Sequence, residues 1–522
     1  MTTTSWLPVL VLATSLVPAV VIFLLPEERG RARTALNLAG AVAKVGLVAA
    51  LVPPVLAGGR FEWRVPFLPQ VDLVLRVEAL GLLFLGLSAF LWLLTTVYAI
   101  GYLRHEGRHR SRFFGFFSLC VVASSGIALS GNLVTFVVFY ELLTLATYPL
   151  VAHQQTAAAL RGARVYLTYT LGGGVALLLG AVWLTVLAGP AGFTRGGSPA
   201  VADAAAGHPG AVRAALALLL LGLAVKAALV PLHGWLPRAM VAPAPVSALL
   251  HAVAVVKAGV FGIVLVVDEL AGPALAADLG LLGPLLVVAC ATILWGSVRA
   301  LRQDGLKARL AFSTVAQVAY VTLGVALLSP VATVGALVHI VHQGLMKITL
   351  FFCAGLLAQR LGATRVSELA GAARRMPLTC AAFTVGALGM IGLPPVAGFV
   401  SKWYLGLGAV DAGQPWVLAV LIASSLLNAA YFLPVVGRMW WGRPTPRPDP
   451  APAAARPADA RPDPHPADAR PAEPPAPRTR PEAPPALLVP ALVTAACSLL
   501  AALAAGVPFA PLSMARLIVG GG

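Results

Sequence analysis

Charge is what this sequence has least of. Of 522 residues only 11% are Asp, Glu, Lys or Arg, and no more than 20 are acidic. With 59% hydrophobic residues and a mean hydropathy of +0.87, the chain cannot cover itself as a soluble globular domain does, which leaves a polytopic membrane protein. Cysteine is scarce too. The five present (Cys120, Cys290, Cys353, Cys380, Cys497) lie in or beside apolar runs, with no CxxC pair and no His at metal-ligand spacing. That excludes a disulfide framework, a zinc site and an iron–sulfur centre. No GxGxxG follows a strand-like segment and no P-loop occurs, so a nicotinamide or nucleotide has no seat and no cofactor is expected. The net charge of +17 does not indicate a nucleic-acid partner, because the basic residues sit in short loops rather than in an aromatic-studded patch.

Apolar runs are abundant. The first, Trp6 to Leu25, is followed by Arg29, Arg31 and Arg33 instead of preceded by basic residues. That order is wrong for a cleaved signal peptide, so the run is read as the first span. Runs of about 20 apolar residues place spans near 6–25, 35–56, 79–101, 113–130, 132–151, 164–188, 212–232, 243–267, 281–300, 309–328, 331–357, 378–407, 415–441 and 486–506. The expected fold is an all-α bundle of about fourteen transmembrane helices. Alternate loops carry the basic residues: Arg29, Arg31, Arg33; Arg104, Arg108, Arg110, Arg112; Arg161, Arg164; Arg299, Arg302, Lys307, Arg309; Arg360, Arg365, Arg374, Arg375. Such loops stay cytoplasmic, which puts both termini on the outer side of a bacterial cell membrane. Residues 443–485, almost wholly Pro, Ala, Arg, Asp and Glu, read as a disordered cytoplasmic loop; residues 189–211 read as an outer loop.

Glu141, Lys226, Lys257, Lys347 and Lys402 stand well inside apolar spans. Each charge at that depth costs about 2.5–3.5 kcal/mol on insertion scales, so five of them point to ion movement. Two of the lysines adjoin helix breaks, at Pro231 with Pro237, and at Pro394 with Pro395. Unwound backbone within a membrane is tolerated where it is enclosed by protein or lines a watery cavity. Lys226 precedes its break and Lys402 follows its own, as two halves of inverted topology would produce. Glu141 shares a helical face with Thr144 and Tyr148, and its expected partner is Lys226, in a pair that opens and closes as a proton arrives. His251 and Lys257 share a span, about 9 Å apart along a continuous helix. His339 and His342 lie one turn apart with Lys347 beyond them. A third metal ligand is missing nearby, so a proton relay is the expected use of these imidazoles. Lys44 has neither a helix break nor an ionisable neighbour in sequence, and is expected to snorkel to the interface. Lys307 and Arg309 are expected to be solvated loop charge.

The stretch from Leu223 to Pro237, with Lys226, Pro231, His233 and Trp235, running on through Ala242-Pro243-Ala244-Pro245, Ser247 and His251 to Lys257-Ala258-Gly259, closely resembles the signature of the antiporter-like proton-channel subunits. That family covers membrane-arm subunits of respiratory complex I, membrane-bound hydrogenases and Mrp-type sodium/proton antiporters. Phe139-Tyr140-Glu141 and Gly398-Phe399-Val400-Ser401-Lys402-Trp403 look like its fifth- and twelfth-helix motifs. The resemblance, over roughly residues 75–440, implies fourteen helices, two inverted five-helix repeats with discontinuous helices, and a hydrated Glu/Lys/His axis. The organisation it suggests is three leading helices (1–112), two antiporter-like halves (113–267 and 268–441), the loop (442–485), and a last helix with the C-terminus (486–522). Lys402 and the step from His342 to Lys347 look most like the D-type subunit of the Mrp-type antiporters. The expected function is therefore proton translocation within a multisubunit cation/proton antiporter, along Glu141, Lys226, His251, Lys257, His339, His342, Lys347 and Lys402. Other membrane subunits would be its partners, with protons and possibly sodium as the ions. The alternative is a proton-pumping subunit of a complex I-like oxidoreductase or hydrogenase, whose energy comes from partner enzymes. No span offers a recognition site for an organic solute.

Overall fold

A computed structural model describes residues 2–69, 71–104, 109–443 and 482–520. The Pro/Arg-rich loop lies, from 444 to 481, outside the described residues.

The leading helices are α1 (Leu7–Leu24), α2 (Gly30–Leu56) and α3 (Ala79–Tyr102). The first half follows with α4 (Arg110–Ala128), α5 (Leu133–Val151), α6 (Ala157–Ala188), α7 (Pro209–Lys226) and a crossing made of α8 (Ala244–Ala252) and α9 (Val255–Val264). Then come α10 (Leu282–Leu301), α11 (Leu306–Ala326), α12 (Pro330–Leu361), the broken pair α13 (Pro377–Ile391) and α14 (Ala397–Asp411), α15 (Val417–Trp441), α16 (Pro485–Leu503) and a short α17 (Pro511–Gly520). Thirteen helical segments are long and apolar enough to cross a membrane, and α13 with α14 makes a fourteenth crossing from two halves. The expected count and all-helical character hold.

The α8–α9 crossing and α12 are apolar all round and buried throughout, so they form the centre. On α5 and α6, Leu145, Val175, Leu178 and Val182 are exposed, as a lipid-facing or subunit-facing surface requires. The sequence reading missed one small sheet. Its strands are β1 (Thr2–Thr4), β2 (Arg60–Leu68) and β3 (Val71–Val77), in the order β1-β2-β3. Cross-strand Glu62 and Arg76 are ion-paired at 2.8 Å. The signal was present, since 60–65 and 71–77 alternate apolar and polar residues at period two. The loop 189–211 also contains a helix, Pro199–Gly207.

Loop contacts sort the helix ends into two faces. On one, Glu27 accepts from the backbone N–H of Ser111, Gly305 bridges Arg365, Ser367 bonds Asp304, and Gln359 bonds the Tyr102 carbonyl. The other gathers both ends of the chain: β1 pairs with β2, Ser130 bridges Leu75, Asn132 bridges Gly192, and Arg195 donates to the Val519 carbonyl. The basic loops belong to the first face.

Candidate functional site

The Asn132 side chain accepts from Thr135 N–H at 2.9 Å and caps α5, which sets Tyr140 and Glu141 on that helix. Glu141 is half-buried against α6, where Gly174 makes the room: a Cβ there would lie 2.3 Å from Glu141 Oε1. That oxygen has no hydrogen-bond partner. Lys226, 1% exposed, is the last residue of α7. The helix stops because the carbonyl of Ala227 would need an N–H from Pro231, which has none. The chain then passes through the 3₁₀ turns Leu232–Gly234 and Ala239–Val241. Lys226 Nζ donates to the Tyr140 carbonyl and lies 3.3 Å from the centroid of that ring. The expected Glu141–Lys226 pair is open here. The ion pairs within 4.0 Å among the described residues include neither, although the two lie within electrostatic range.

At the centre the α8–α9 crossing is interrupted at Val253–Ala254, between His251 and Lys257. The 9 Å straight-helix spacing therefore does not apply, and the two face different neighbours. His251 packs on Phe351 at 4.6 Å, neither ring nitrogen has a partner, and its nearby charges are Lys347 and Lys307. Lys257 Nζ donates to the Ile340 carbonyl at 2.8 Å. α9 crosses the end of α7 at Gly259, where a Cβ would fall 2.2 Å from Ala227 N. Buried His342 faces the Ala397 backbone without a well-formed hydrogen bond.

His339 is held at both nitrogens, by Ser401 Oγ at 2.8 Å and the Gln317 carbonyl at 3.1 Å. Ser401 also donates to the Gly398 carbonyl at 3.2 Å. A carbonyl only accepts, so all three bonds coexist when His339 carries a proton on each nitrogen. With Nδ1 bare, Ser401 must turn its hydrogen away from Gly398. The proton on His339 is thus tied to a hydroxyl on α14.

Lys347 Nζ donates to Ser313 Oγ at 2.8 Å, and Tyr431 donates to the same oxygen at 3.0 Å. Tyr431 also meets Asn428 Oδ1, and Asn428 donates to the Met390 carbonyl at 3.1 Å. Lys402 Nζ reaches that carbonyl at 3.1 Å, the Ile391 carbonyl at 2.8 Å and Ser425 Oγ at 3.0 Å. A continuous polar line therefore joins Lys347 to Lys402. Sequence reasoning missed Ser313, Gln317, Asn428 and Tyr431. They are ordinary in type, and only their convergence from α11 and α15 marks them.

Three expectations are corrected. Lys307 is not solvated loop charge: its Nζ donates to the Ala242 carbonyl at 2.6 Å, on the wall of a cavity of about 840 Å³ shared with Arg161, Arg238 and Arg365. Arg309 is buried and donates to the Gln303 and Tyr431 carbonyls, because the loop folds back over the first turn of α11. Lys44 does not snorkel; it is 0% exposed and bonded to Ser15 and Ser125, because neighbouring helices surround α2 at that depth. Among the described residues no three His, Cys, Asp or Glu side chains are grouped to hold a metal.

Residues 130–428 match the model of the NADH:quinone oxidoreductase/Mrp antiporter transmembrane family. The chain is 38% identical over 443 residues to NADH-quinone oxidoreductase subunit N of Desulforudis audaxviator, covering 83% of this chain and 81% of that protein. It is 33% identical to a probable K(+)/H(+) antiporter A/B subunit of Rhizobium meliloti, over 81% of this chain and 42% of the relative. For hydrogenase-4 component B of Escherichia coli the identity is 29%, over 77% and 60%. The chain thus spans about half the length of these two relatives. Among solved structures, a chain of the Mrp complex from Dietzia sp. DQ12-45-1b superposes with a TM-score of 0.82 at 27% identity, over 98% of this chain and 97% of that one. An archaeal membrane-bound sulfane sulfur reductase chain shares the fold, with a TM-score of 0.81 at 21% identity. This multi-pass protein belongs to the NADH:quinone oxidoreductase/Mrp antiporter transmembrane family.

Proposed function

We propose that the chain is the proton-translocating membrane subunit of a multisubunit cation/proton antiporter. Glu141 and Lys226 act as the entry pair, His251 and Lys257 connect to the centre, His339, His342 and Lys347 carry protons across, and Lys402 is the terminal site. The observation that carries this reading is the unbroken line from Lys347 through Ser313, Tyr431, Asn428 and the Met390 carbonyl to Lys402. A static bundle has no need to align two buried ammonium groups along hydroxyls and freed carbonyls. Hydroxyls and water-accessible amines pass protons by exchanging donor and acceptor roles, and the Ser401 rotor beside His339 does so within one step. The chain has no redox or hydrolytic centre assigned to it, so the driving force is an opposing cation gradient, with sodium or potassium as the exchanged ion. Other membrane subunits complete the machine, in keeping with the Mrp complex and the respiratory membrane complex among its structural neighbours.

A redox-driven pump is the second reading, favoured by the 38% identity to an oxidoreductase subunit over 81% of that protein's length. Vesicles carrying the assembled complex separate the two. A cation-dependent pH gradient in the absence of electron donors supports the antiporter, whereas a gradient formed only with a reductant and a quinone supports the pump. Under either, Glu141→Ala and Lys226→Ala are expected to abolish proton movement while the complex assembles; full transport by both variants overturns the entry pair.

A further inference from the structure

The polar residues of the leading helices lie off this line and make a seam of their own. Arg33, Asn37 and Lys44 share one face of α2, and Ser111, Ser118 and Ser125 recur every seven residues along α4. The two helices run parallel and meet at three rungs: Arg33 to Ser111 at 2.8 Å, Ser118 to Asn37 at 3.0 Å, and Lys44 to Ser125 at 2.7 Å. α1 adds Ser15, which accepts from Lys44 Nζ at 2.8 Å. That reach depends on Gly40, one turn before Lys44, where a Cβ would lie 2.4 Å from the Thr14 carbonyl. α3 closes the top with Ser88 bonded to Ser124 at 3.0 Å, and with the Trp92 ring 5.4 Å from Nζ. Trp92 Nε1 and Thr96 Oγ1 are buried there without partners.

Lys44 is 0% exposed, and the ion pairs within 4.0 Å among the described residues leave it without a carboxylate. An unpaired ammonium in that setting costs several kcal/mol, whereas an apolar residue would hold three helices together more cheaply. The eleven residues from Arg33 to Lys44 rise about 16 Å, roughly half of a ~30 Å hydrocarbon core. At its inner end the seam opens into a cavity of about 1030 Å³ that Arg33 lines with Arg31, Arg104 and Arg110.

We propose that Lys44 is a second protonatable station, reached by water from the inner face along the Arg33–Asn37 face of α2 and the Ser111–Ser118 face of α4. In its step the Nζ lone pair takes a proton from a hydronium in the seam, releasing water, and returns it by the same route. This rests on the reading of the chain as a proton conductor, but hydration of the seam is measurable without transport. In inside-out vesicles carrying the whole complex, Asn37→Cys and Ser118→Cys are each treated with a membrane-impermeant methanethiosulfonate ethylammonium reagent. Both are expected to be labelled above the parent chain, whereas Val42→Cys, on the exposed apolar side of α2, is not. Lys44→Met is expected to assemble and to lower proton transport several-fold. Absence of label at both seam positions in assembled complex, or unchanged transport by Lys44→Met, overturns the proposal. Should Glu141→Ala and Lys226→Ala transport fully while the seam still labels, the fault lies with the parent reading of the main line instead.

Discussion

The carbonyls of Met390 and Ile391 are free for Lys402 because the residues four places on, Pro394 and Pro395, have no N–H to offer them. Two prolines thus turn a helix end into an ammonium site, and Asn428 and Gln317 use the same Met390 oxygen. Tyr431→Phe removes the hydroxyl between Ser313 and Asn428 while keeping the ring. We expect it to cost about 1 kcal/mol of stability and to slow proton transport in vesicles, and unchanged rates would remove Tyr431 from the path. Gly174 permits a second single-residue test. A methyl group there collides with the flexible end of Glu141, whereas Gly172 has open space around its would-be Cβ. Gly174→Ala is expected to turn the carboxylate aside and depress transport in an assembled complex, with Gly172→Ala matching the parent. Glu141 itself was legible in the sequence as a charge in an apolar run. Its neighbour Gly174 was not, since a glycine in a helix has no chemistry to read until a carboxylate is seen against it.

Among elements, the helix breaks were the most legible, because Pro231, Pro394 and Pro395 forbid continuation by their covalent structure. The interruption at Val253–Ala254 was not, as neither residue breaks a helix by itself. Tertiary contact decides it, for the end of α7 and α9 must cross where only Gly259 lets two backbones meet. Gly259→Ala would push α9 off Ala227 and Lys226, an overpacking worth about 1–3 kcal/mol or more against unyielding backbone. We expect little assembled complex on a native gel, with a milder loss at Gly262, whose would-be Cβ meets the Leu223 and Phe136 side chains instead. The β2–β3 hairpin was readable by its alternation but was hidden by the stronger helical signal on either side.

At the scale of the whole molecule, the basic loops collect on one face and both ends of the chain on the other, as the distribution of Arg and Lys requires if that first face is cytoplasmic. Alkaline phosphatase fused after Gly520 is expected to be active in cells, and the same enzyme fused after Arg443 inactive. The reverse pattern would invert the topology and with it the sense of both polar routes. Glu141 approaches the flank made by α5 and α6, while Lys402 lines a cavity of about 610 Å³ with Phe399, Trp403 and Leu407 on the flank of α14 and α15. The line's two ends therefore reach different sides of the bundle, where neighbouring subunits can sit.

The sequence by itself determined that the chain lives in a membrane, how many times it crosses, where its helices break and which charges lie deep. Those follow from transfer free energies and from proline's missing donor, both local properties. Only the tertiary structure decided which charge meets which: that Lys226 rests on Tyr140 with Glu141 apart, that Lys347 reaches Lys402 through Tyr431 and Asn428, and that Lys44 is enclosed. A buried amine takes whatever acceptor the neighbouring helices present, and helices distant in sequence supply those acceptors.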